Sequence, residues 1–498
     1  MSERGPRTHA WTAPKPISLW LLPLAITFLG YGFTLGDSFL SDDFVMLHRA
    51  ATAPNLAAAA TLNEQWSEVW FRPLTFWTWY WQHPLFGENP FGYRLTNLLL
   101  HSLNSALLGW LVIALLGRRT AGIAAACVFA AFPIHAEAVT WVAARADVLC
   151  ALGLLVALLA WTRFLSDGWR PRHLVLVAFA LLFACAAKET GMTAPAFLGI
   201  VLVAFRRPFP RRAWVGIAVV GVVTLGWLAG RYAYIGDMGG IKDAQGNPIF
   251  ARFDPARIAE FVGDAAAICF LPVHLKTYPS FWHPLRLVPA LALLAGLVFH
   301  VRRGGLGGTL RELWPLLLAF VLSLSQIATW SSVHVDNQQT RFLYIPTLFT
   351  CAAIGAVLGF AWSGRGRVIT LALLVPAVGT WLTGLVLENR NWHEASKLAE
   401  QIVDAFPAPT RGNVPIYVTD LPDNHRGAFV FRTAFPFAVR LRYDDKLRVF
   451  AMKRKMVVAL KQRGTRGAFL RWDRRRADFV LLATPPLGRD GGPGPDGR

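Results

Sequence analysis

Long apolar runs separated by short polar segments fill most of the chain up to about residue 387. The first run, residues 17–35, is long enough to span a bilayer, since about 20 helical residues cross the hydrocarbon core. No small-x-small cleavage pattern closes it, so we interpret it as a retained span. Further runs lie at 93–116, 120–134, 147–165, 174–187, 190–205, 213–230, 286–301, 313–330, 343–362 and 368–387. The pattern predicts an all-α polytopic membrane domain over 17–387, with about eleven transmembrane helices.

Positive charge between the runs predicts the orientation. Basic segments tend to stay in the cytoplasm, and here they all fall on one side: Arg118-Arg119, 169–172, 206–212, Arg302-Arg303 and 365–367. Counting the run at 256–272 as a span would break this regularity, so we interpret it as interfacial or re-entrant. The N-terminus, residues 1–16, is then cytoplasmic, and everything after about 388 lies outside.

The first external loop, residues 36–91, is itself rich in apolar residues. Trp66, Trp70, Trp77 and Trp81 recur at spacings of four and seven, which predicts one face of a helix. Pro73 is suited to the first position of a second short helix. Amphipathic helices of this kind lie in the headgroup layer, so we expect the loop to follow the membrane surface.

The C-terminal part, 388–498, contains no further span. Short buried strands are predicted at 414–418, 427–430 and 478–482, and a helix at about 447–462. These elements indicate a small soluble extracytoplasmic α/β domain over 388–482. Residues 483–498 are rich in Gly and Pro and are predicted to be disordered.

Composition supports this class of protein and excludes others. Charged residues make up only 16% of the chain, against about a quarter in soluble domains. The net charge of +20 is interpreted as orientation signal and headgroup anchoring, with no nucleic-acid partner. The five cysteines lie within or beside apolar runs, which argues against a disulfide framework or a zinc site. No Walker, dinucleotide-binding or HExxH motif is present.

Two adjacent carboxylates, Asp42 and Asp43, follow the first span directly. Charges at the membrane boundary usually face water or a partner, so they are candidate catalytic residues. The alternative is a helix start in which Ser41 is the N-cap and the acids favour the helix dipole. Both can hold, because neighbouring helical residues diverge by about 100° and only one would point into a site. A carboxylate there could take a proton from a hydroxyl group.

Other ionisable residues cluster at the outer ends of later spans. Arg145, Lys188, Arg341 and Tyr344 are candidate phosphate ligands, since arginine in particular binds phosphate in a bidentate manner. The candidate cavity walls are His135, Glu137, Asp147, Glu189 and Arg72. The alternatives are pairing among neighbouring charges, snorkelling of Lys188 to headgroups, and interfacial anchoring by Arg341 and Tyr344. Glu137, Trp141 and Arg145 would share one face if this segment is a helix.

Several of these motifs, in this order, resemble the transmembrane tetratricopeptide-repeat O-mannosyltransferases and their bacterial relatives. They are Phe71-Arg72-Pro73-Leu74-Thr75, 89–101, 132–139 with Arg145-Ala146-Asp147, 188–191 and 341–346, and together they cover about 36–350. The wider group is the GT-C superfamily of membrane glycosyltransferases. This chain lacks the tetratricopeptide repeats and has the short basic domain instead. The Ala-, Arg- and Gly-rich composition is typical of bacteria, which indicates the bacterial cytoplasmic (inner) membrane and a role in the cell envelope.

The resemblance implies a glycosyltransferase that uses a polyprenyl-phosphate-linked sugar. In that superfamily an acidic residue of the first external loop is catalytic, and Asp42 or Asp43 occupies that position here. The implied partners are membrane lipids, the lipid-linked sugar and a glycan, lipid or protein acceptor. Some members use a divalent metal at this acid and others do not, so a metal is left open. A lipid-linked-sugar transporter or flippase and a non-catalytic membrane scaffold are the alternatives.

Overall fold

The computed structural model describes residues 17–62, 70–166, 170–205, 213–236, 255–271, 284–285, 287–325, 339–359, 364–407 and 414–482. The predicted N-terminal segment 1–16, the tail 483–498 and Trp66 lie outside these residues. The chain divides into two compact units. Unit 1 comprises Met1–Asp37, Arg49–His393 and Arg426–Ala428, and unit 2 comprises Ser38–His48, Glu394–His425 and Phe429–Arg498.

Helices form most of the described chain. The α-helices are α1 Ser18–Tyr31, α2 Asp42–Thr52, α3 Leu56–Ala59, α4 Pro73–Phe86, α5 Pro90–Leu116, α6 Arg119–Ala131, α7 Ala136–Thr140, α8 Arg145–Ser166, α9 Pro171–Ala187, α10 Ala194–Phe205, α11 Ala213–Ile235, α12 Pro255–Phe270, α13 Leu287–Leu324, α14 Tyr344–Leu358, α15 Gly364–Asp404, α16 Phe435–Arg442 and α17 Arg454–Gln462. Short 3-10 turns occupy Gly32–Thr34, Pro133–His135, Val142–Ala144, Glu189–Thr193 and Thr340–Leu343.

Six helical segments of the described residues are long and apolar enough to cross a membrane: Pro90–Leu116, Val142–Ser166, Ala213–Ile235, Leu287–Leu324, Thr340–Leu358 and Arg365–Asp404. A seventh candidate is the pair Arg119–Ala131 and Pro133–Thr140, which bends by 53° at its break. Shorter apolar helices lie at Ser18–Thr34, Pro171–Ala187 and Glu189–Ala204. The predicted mostly helical membrane architecture is therefore confirmed, with six or seven clear candidate spans.

Two helices differ from simple spans in informative ways. Within the 38 residues of α13, Gly305 has non-helical angles (φ 69°, ψ 163°), so the backbone is broken there. Glycine tolerates this left-handed region because it has no Cβ. Helix α12 coincides with the ambiguous run at 256–272, and its 16 residues are fewer than a bilayer requires.

Close packing of small residues holds the centre of unit 1 together. A Cβ added at Gly355 of α14 would lie 2.6 Å from both the Ala121 carbonyl and the Ala125 methyl of α6. Gly109 of α5 and Gly122 of α6 approach each other's backbones just as closely. Membrane helices use such small residues to bring their backbones together, since lipid supplies no hydrophobic driving force between helices.

Two local predictions were wrong. Trp70 lies in strand β2 (Trp70–Phe71), which pairs antiparallel with β1 (Thr61–Leu62), so the loop tryptophans do not share one helical face. The segment from Glu137 to Arg145 is also not one helix. Trp141 is extended (φ −78°, ψ 113°) between α7 and a 3-10 turn, and α8 starts only at Arg145. Pro73, by contrast, does begin helix α4.

Unit 2 contains a four-stranded sheet in the order β6-β3-β7-β8. Its strands are β3 Ile416–Thr419, β6 Val449–Ala451, β7 Ala468–Asp473 and β8 Asp478–Leu481; a small pair, β4 Asn424–His425 and β5 Ala428–Phe429, lies apart. Strand β3 runs parallel to both β6 and β7, whereas β8 is antiparallel to β7. The predicted α/β character is confirmed. The predicted helix at 447–462 was too long, because β6 precedes helix α17, and strand β7 was missed.

All five cysteines are free and buried.

Candidate functional site

Glu137 is a buried acidic residue of unit 1. Its side chain is 1% exposed and pairs with the Arg341 guanidinium. The other carboxylate oxygen accepts hydrogen bonds from the Thr340 hydroxyl at 3.1 Å and the Arg341 backbone N–H at 3.0 Å. Glu137 therefore fixes both the side chain of Arg341 and the turn that carries it, at the start of α14.

Arg341 is held between aromatic rings as well as by its carboxylate. Its guanidinium carbon lies 4.9 Å from the Trp141 ring centroid and 4.4 Å from that of Phe342. Stacking on aromatic faces suits the planar guanidinium. The side chain remains 17% exposed. Arg341 is thus a fixed cation that still reaches solvent.

Lys188 lies on the same aromatic ring. Its ammonium is 4.7 Å from the centroid of Phe342 and 2.5 Å from a carboxylate oxygen of Asp147, and both side chains of the ion pair are almost fully buried. Burial lowers the pKa of Lys188, while Asp147 acts in the opposite direction. The ammonium therefore depends on a nearby negative charge.

A third ion pair adjoins Lys188 in sequence. Glu189 accepts a forked hydrogen bond from Arg72, at 2.9 and 3.1 Å, and lies 3.7 Å from the Arg231 guanidinium. The two guanidinium groups offset the cost of burying the negative charge of Glu189. Arg72 and Glu189 retain 19% and 26% exposure. We call Arg72, Lys188, Arg341 and their carboxylates Glu189, Asp147 and Glu137 the cation cluster.

Arg145 has a different environment from the other candidate phosphate ligands. It is fully buried, and its guanidinium donates to neutral acceptors: the Asn97 side chain at 2.7 Å, the Thr78 hydroxyl at 3.0 Å, Gln82, and the Tyr93 carbonyl at 2.9 Å. These bonds join α8 to α4 and α5. The arrangement suits a residue that locks helices together.

Tyr344 and His135 are also enclosed. The Tyr344 hydroxyl lies 2.7 Å from Nδ1 of His101, and Nε2 of His135 lies 2.7 Å from the Thr347 hydroxyl. The rings of His135 and Tyr344 are 4.8 Å apart. With no exposed surface, neither side chain lines an open cavity in this structure.

Asp42 and Asp43 belong to unit 2 and begin helix α2. Asp43 is fully buried, and its carboxylate accepts the Leu40 backbone N–H at 3.1 Å. Asp42 is 35% exposed and lies 3.6 Å from Arg432. The predicted role of Ser41 as N-cap was wrong in detail. Its φ is 49°, outside the extended region usual for that position, and its hydroxyl donates to Asp42 at 3.3 Å.

The structure adds partners that the sequence pattern did not single out. Phe342 and Arg231 are such partners of the cation cluster. Trp141, which the sequence placed only on the face of a predicted helix, contacts Arg341. In unit 1, Oδ1 of Asp37 lies 2.5 Å from Nδ1 of His393, while its other oxygen is buried with no hydrogen-bond partner among the described residues. The partners in these contacts lie far apart in sequence, so the sequence pattern does not reveal them. Asp37 alone could have been noticed, because it follows the first predicted span closely.

Metal ligands were left open by the sequence. Among the residues that the structure describes, no three His, Cys, Asp or Glu side chains converge closely enough to hold an ion. None of the candidate residues is therefore assigned to a metal.

Two solved structures have a similar fold. This chain is similar to ArnT from Cupriavidus metallidurans in the apo state, with a TM-score of 0.50, 13% identity, and 91% of this chain and 92% of that chain covered. It is also similar to the archaeal oligosaccharyltransferase AglB from Archaeoglobus fulgidus, with a TM-score of 0.50, 12% identity, and 87% and 64% of the two chains covered. At these identities the likeness is one of fold.

Sequence similarity points to a more specific group. The chain is 30% identical to the protein O-mannosyl-transferase Tmtc1 of Drosophila melanogaster over 187 residues, which is 35% of this chain and 22% of that protein. It is 35% identical to TMTC3 of Mus musculus over 138 residues, or 26% and 14% of the two chains. No family model matches the chain. The predicted resemblance is confirmed as a distant one, and the matched region spans less than a quarter of these relatives.

Proposed function

We propose that this chain is a membrane glycosyltransferase that moves a sugar from a polyprenyl-phosphate donor to an acceptor hydroxyl on the outer face of the membrane. The observation that carries the proposal is the pair of cations, Lys188 and Arg341, placed against one aromatic ring in unit 1. Two cations near one ring repel each other, so they stay in place only because Asp147, Glu137 and the ring hold them. An arrangement fixed in this way is ready for an anionic group.

The donor phosphate is the anion that this arrangement suits. Arg341 has a planar guanidinium of the kind that binds phosphate in a bidentate manner, and its side chain is still 17% exposed although one nitrogen is bonded to Glu137. Lys188 adds a second charge, and Arg72 a third, close enough to influence the pKa of Lys188. We assign Arg341 the direct contact with the donor phosphate. Lys188 and Arg72 support it electrostatically. Arg145 and Tyr344 hold the surrounding helices in position.

The proposed reaction is an inverting transfer. The bond between the sugar C1 and the phosphate oxygen breaks, and its electron pair remains on the phosphate. The acceptor oxygen forms the new bond to C1, and its proton passes to a first-loop carboxylate acting as general base. Cations aimed at the phosphate stabilise the charge that develops on it, which is usually the largest contribution to such a step. We propose Asp43 or Asp42 as the base, with a slight preference for Asp43, whose position is fixed by its bond to the backbone. Because Asp43 is fully buried here, its carboxylate must become accessible when the acceptor binds.

The names of the similar proteins support a polyprenyl-phosphate donor and a hydroxyl acceptor. AglB was solved in complex with a dolichol-phosphate, which is a polyprenyl phosphate. The curated relatives are named protein O-mannosyl-transferases, which makes a hydroxyl acceptor and mannose reasonable candidates. We propose a hexose donor and leave the acceptor class as glycan, lipid or protein.

We also propose the number of membrane spans and their orientation. The six long segments, the bent pair and the three shorter apolar helices account for ten spans. The break at Gly305 divides α13 into two pieces, each of about one bilayer length, which makes eleven. We propose this number, with the N-terminus in the cytoplasm and the C-terminal domain outside the bacterial inner membrane.

The test is a transfer assay with the purified chain in lipid vesicles. The probe is a polyprenyl-phosphate hexose labelled in the sugar, with a cell-envelope fraction as acceptor. We expect Arg341→Gln to lower transfer by roughly 100-fold, as the loss of one charge-stabilising donor does, and Arg341→Lys to retain part of the rate. The matched control is Arg118→Gln, which removes another partly exposed arginine paired with a carboxylate, Glu312.

Two results would contradict the proposal. One is transfer at the wild-type rate by Arg341→Gln. The other is a wild-type protein that transfers sugar from a sugar nucleotide but from no polyprenyl-phosphate sugar.

A further inference from the structure

The C-terminal part of the chain carries an unusual excess of positive charge. Between residues 394 and 482 there are 18 Lys and Arg against 9 Asp and Glu. This part has no assigned role. A charge excess alone indicates only solvation, so the question is whether the fold gathers the charge at one place.

The sheet of unit 2 does gather it. Strands β3, β6 and β7 are parallel, so their carboxyl ends lie along one edge of the sheet. Lys453, Arg454 and Lys455 follow β6 directly, and Arg474, Arg475 and Arg476 follow β7. All six are exposed. We call these six residues the basic edge.

The carboxylates at this edge are fewer and are partly engaged. Asp420, which follows β3, lies 3.9 Å from Arg454. The Asp473 carboxylate accepts the backbone N–H groups of Arg475 and Arg476 at 3.0 and 3.4 Å, and these bonds lower its pKa. Asp473 therefore stays ionised and fixes the turn that displays the three arginines. Asp478 is the third carboxylate at this edge. Three carboxylates face six cations, so the edge keeps an excess of positive charge.

An exposed apolar residue accompanies the cations. Met456, on the first turn of α17 beside Lys455, is 46% exposed. Lysine, arginine and a flexible apolar side chain together suit the headgroup layer of an anionic bilayer, where each cation near the surface contributes about 1 kcal/mol.

We propose that the basic edge of unit 2 binds the anionic headgroups of the membrane in which the chain is embedded. The occupant is suggested by the connectivity. Helix α15, which contains the candidate span Arg365–Asp404, continues into unit 2 and tethers it to the bilayer. A tethered basic surface meets nearby anionic lipid at high effective concentration, so even a modest affinity gives lasting contact. Docking of this kind is independent of sugar transfer.

The experiment uses hydrogen–deuterium exchange on the full chain in nanodiscs. One set contains phosphatidylcholine alone, and the other contains about one-third phosphatidylglycerol. We expect slower exchange of segments 453–456 and 474–477 in the anionic discs, and loss of this protection at about 1 M salt, where screening is effective within a few ångströms.

Two variants of equal charge change separate a local surface from a general charge effect. Lys455→Gln/Arg475→Gln removes one cation from each segment of the basic edge. The control, Arg463→Gln/Arg466→Gln, removes two exposed cations from the opposite end of α17 and the turn after it. Two contacts at about 1 kcal/mol each predict a docked population ratio roughly 30-fold lower for the first variant and unchanged for the control.

Three outcomes would overturn the proposal. The first is identical exchange of the wild type in both lipid mixtures. The second is equal loss of protection in the control variant, which would show a general effect of net charge. The third is protection that appears only when a soluble anionic polysaccharide is added, which would assign the edge to a glycan instead.

Discussion

Asp42 and Asp43 differ in their surroundings more than their adjacency in sequence would indicate. Both begin α2, but Asp43 is enclosed and bonded to the backbone, whereas Asp42 is partly exposed beside Arg432. A base benefits from a fixed position, since proton transfer depends on geometry first. The proposed catalytic role therefore leads to different expectations for the two acids.

We expect Asp43→Asn to lower sugar transfer by about 100-fold or more, the usual contribution of a general base, and Asp42→Asn to lower it much less. The transfer assay with labelled donor measures both variants beside the wild type. Because Asp43 is buried, thermal unfolding in detergent is recorded for each variant, so that a loss of fold is recognised. If both folded variants transfer at the wild-type rate, neither aspartate is the base.

Variants of the buried ion pair Lys188–Asp147 can test its role in stability separately from its role in function. Lys188→Met leaves the Asp147 carboxylate unpaired at 4% exposure, which should cost about 3–5 kcal/mol. The double variant Lys188→Met/Asp147→Leu should regain much of that stability, because no lone charge remains buried. Thermal unfolding measures both changes.

The same two variants report on function. Transfer should stay low in the double variant, since the cation beside the phosphate is missing. A double variant that is stable and fully active would limit the pair to a structural role. The control pair is Arg118 and Glu312, whose side chains are 28% and 21% exposed. Breaking that more exposed pair should cost about 1 kcal/mol or less.

Helix packing in unit 1 depends on small residues, such as Gly355 and Ala121, which the hydrophobic pattern does not distinguish from other positions of a span. Apolar periodicity identifies α6 and α14 as helices, but it does not show that Gly355 and Ala121 touch. The runs predicted as spans between 93 and 205 have helical counterparts, because an apolar helix is the stable form of such a run in lipid. The break at Trp141 was not predictable, since it depends on the helices on either side.

Gly355→Leu should destabilise the protein by about 1–3 kcal/mol, because the added side chain must displace the Ala121 backbone and the Ala125 methyl. The control is Gly221→Leu in α11, where an added Cβ meets nothing within 4 Å. Thermal unfolding in detergent compares the two. Equal melting temperatures for the two variants would show that this close approach is not needed.

The orientation of the complete chain is the broadest prediction. The eleven-span arrangement places residues after about 388 outside the cytoplasm, although this part is strongly basic. Long domains cross largely regardless of their charge, so the basic residues do not forbid this. We expect a topology reporter fused near Glu400 to give an extracytoplasmic signal. A cytoplasmic signal there would contradict the arrangement of eleven spans with a cytoplasmic N-terminus.

The sequence by itself determined the class of architecture. Length and apolarity of the runs identify helices that cross a membrane, because no other short-range structure satisfies backbone hydrogen bonds in lipid. It also identified the charged residues Arg341, Lys188, Glu137 and Glu189, because charges are rare between such runs. These are properties of local composition, and local composition is visible in a single chain.

Only the tertiary structure decided which groups meet. Glu137 pairs with Arg341, about 200 residues away, rather than with its neighbours. Lys188 and Arg341 share the ring of Phe342, whereas Arg145, which looked equivalent, is locked among neutral acceptors. Ser38–His48 belongs to the same unit as the C-terminal sheet. Pairing of this kind depends on how helices cross in three dimensions, and a linear pattern of apolar and charged residues does not contain that information.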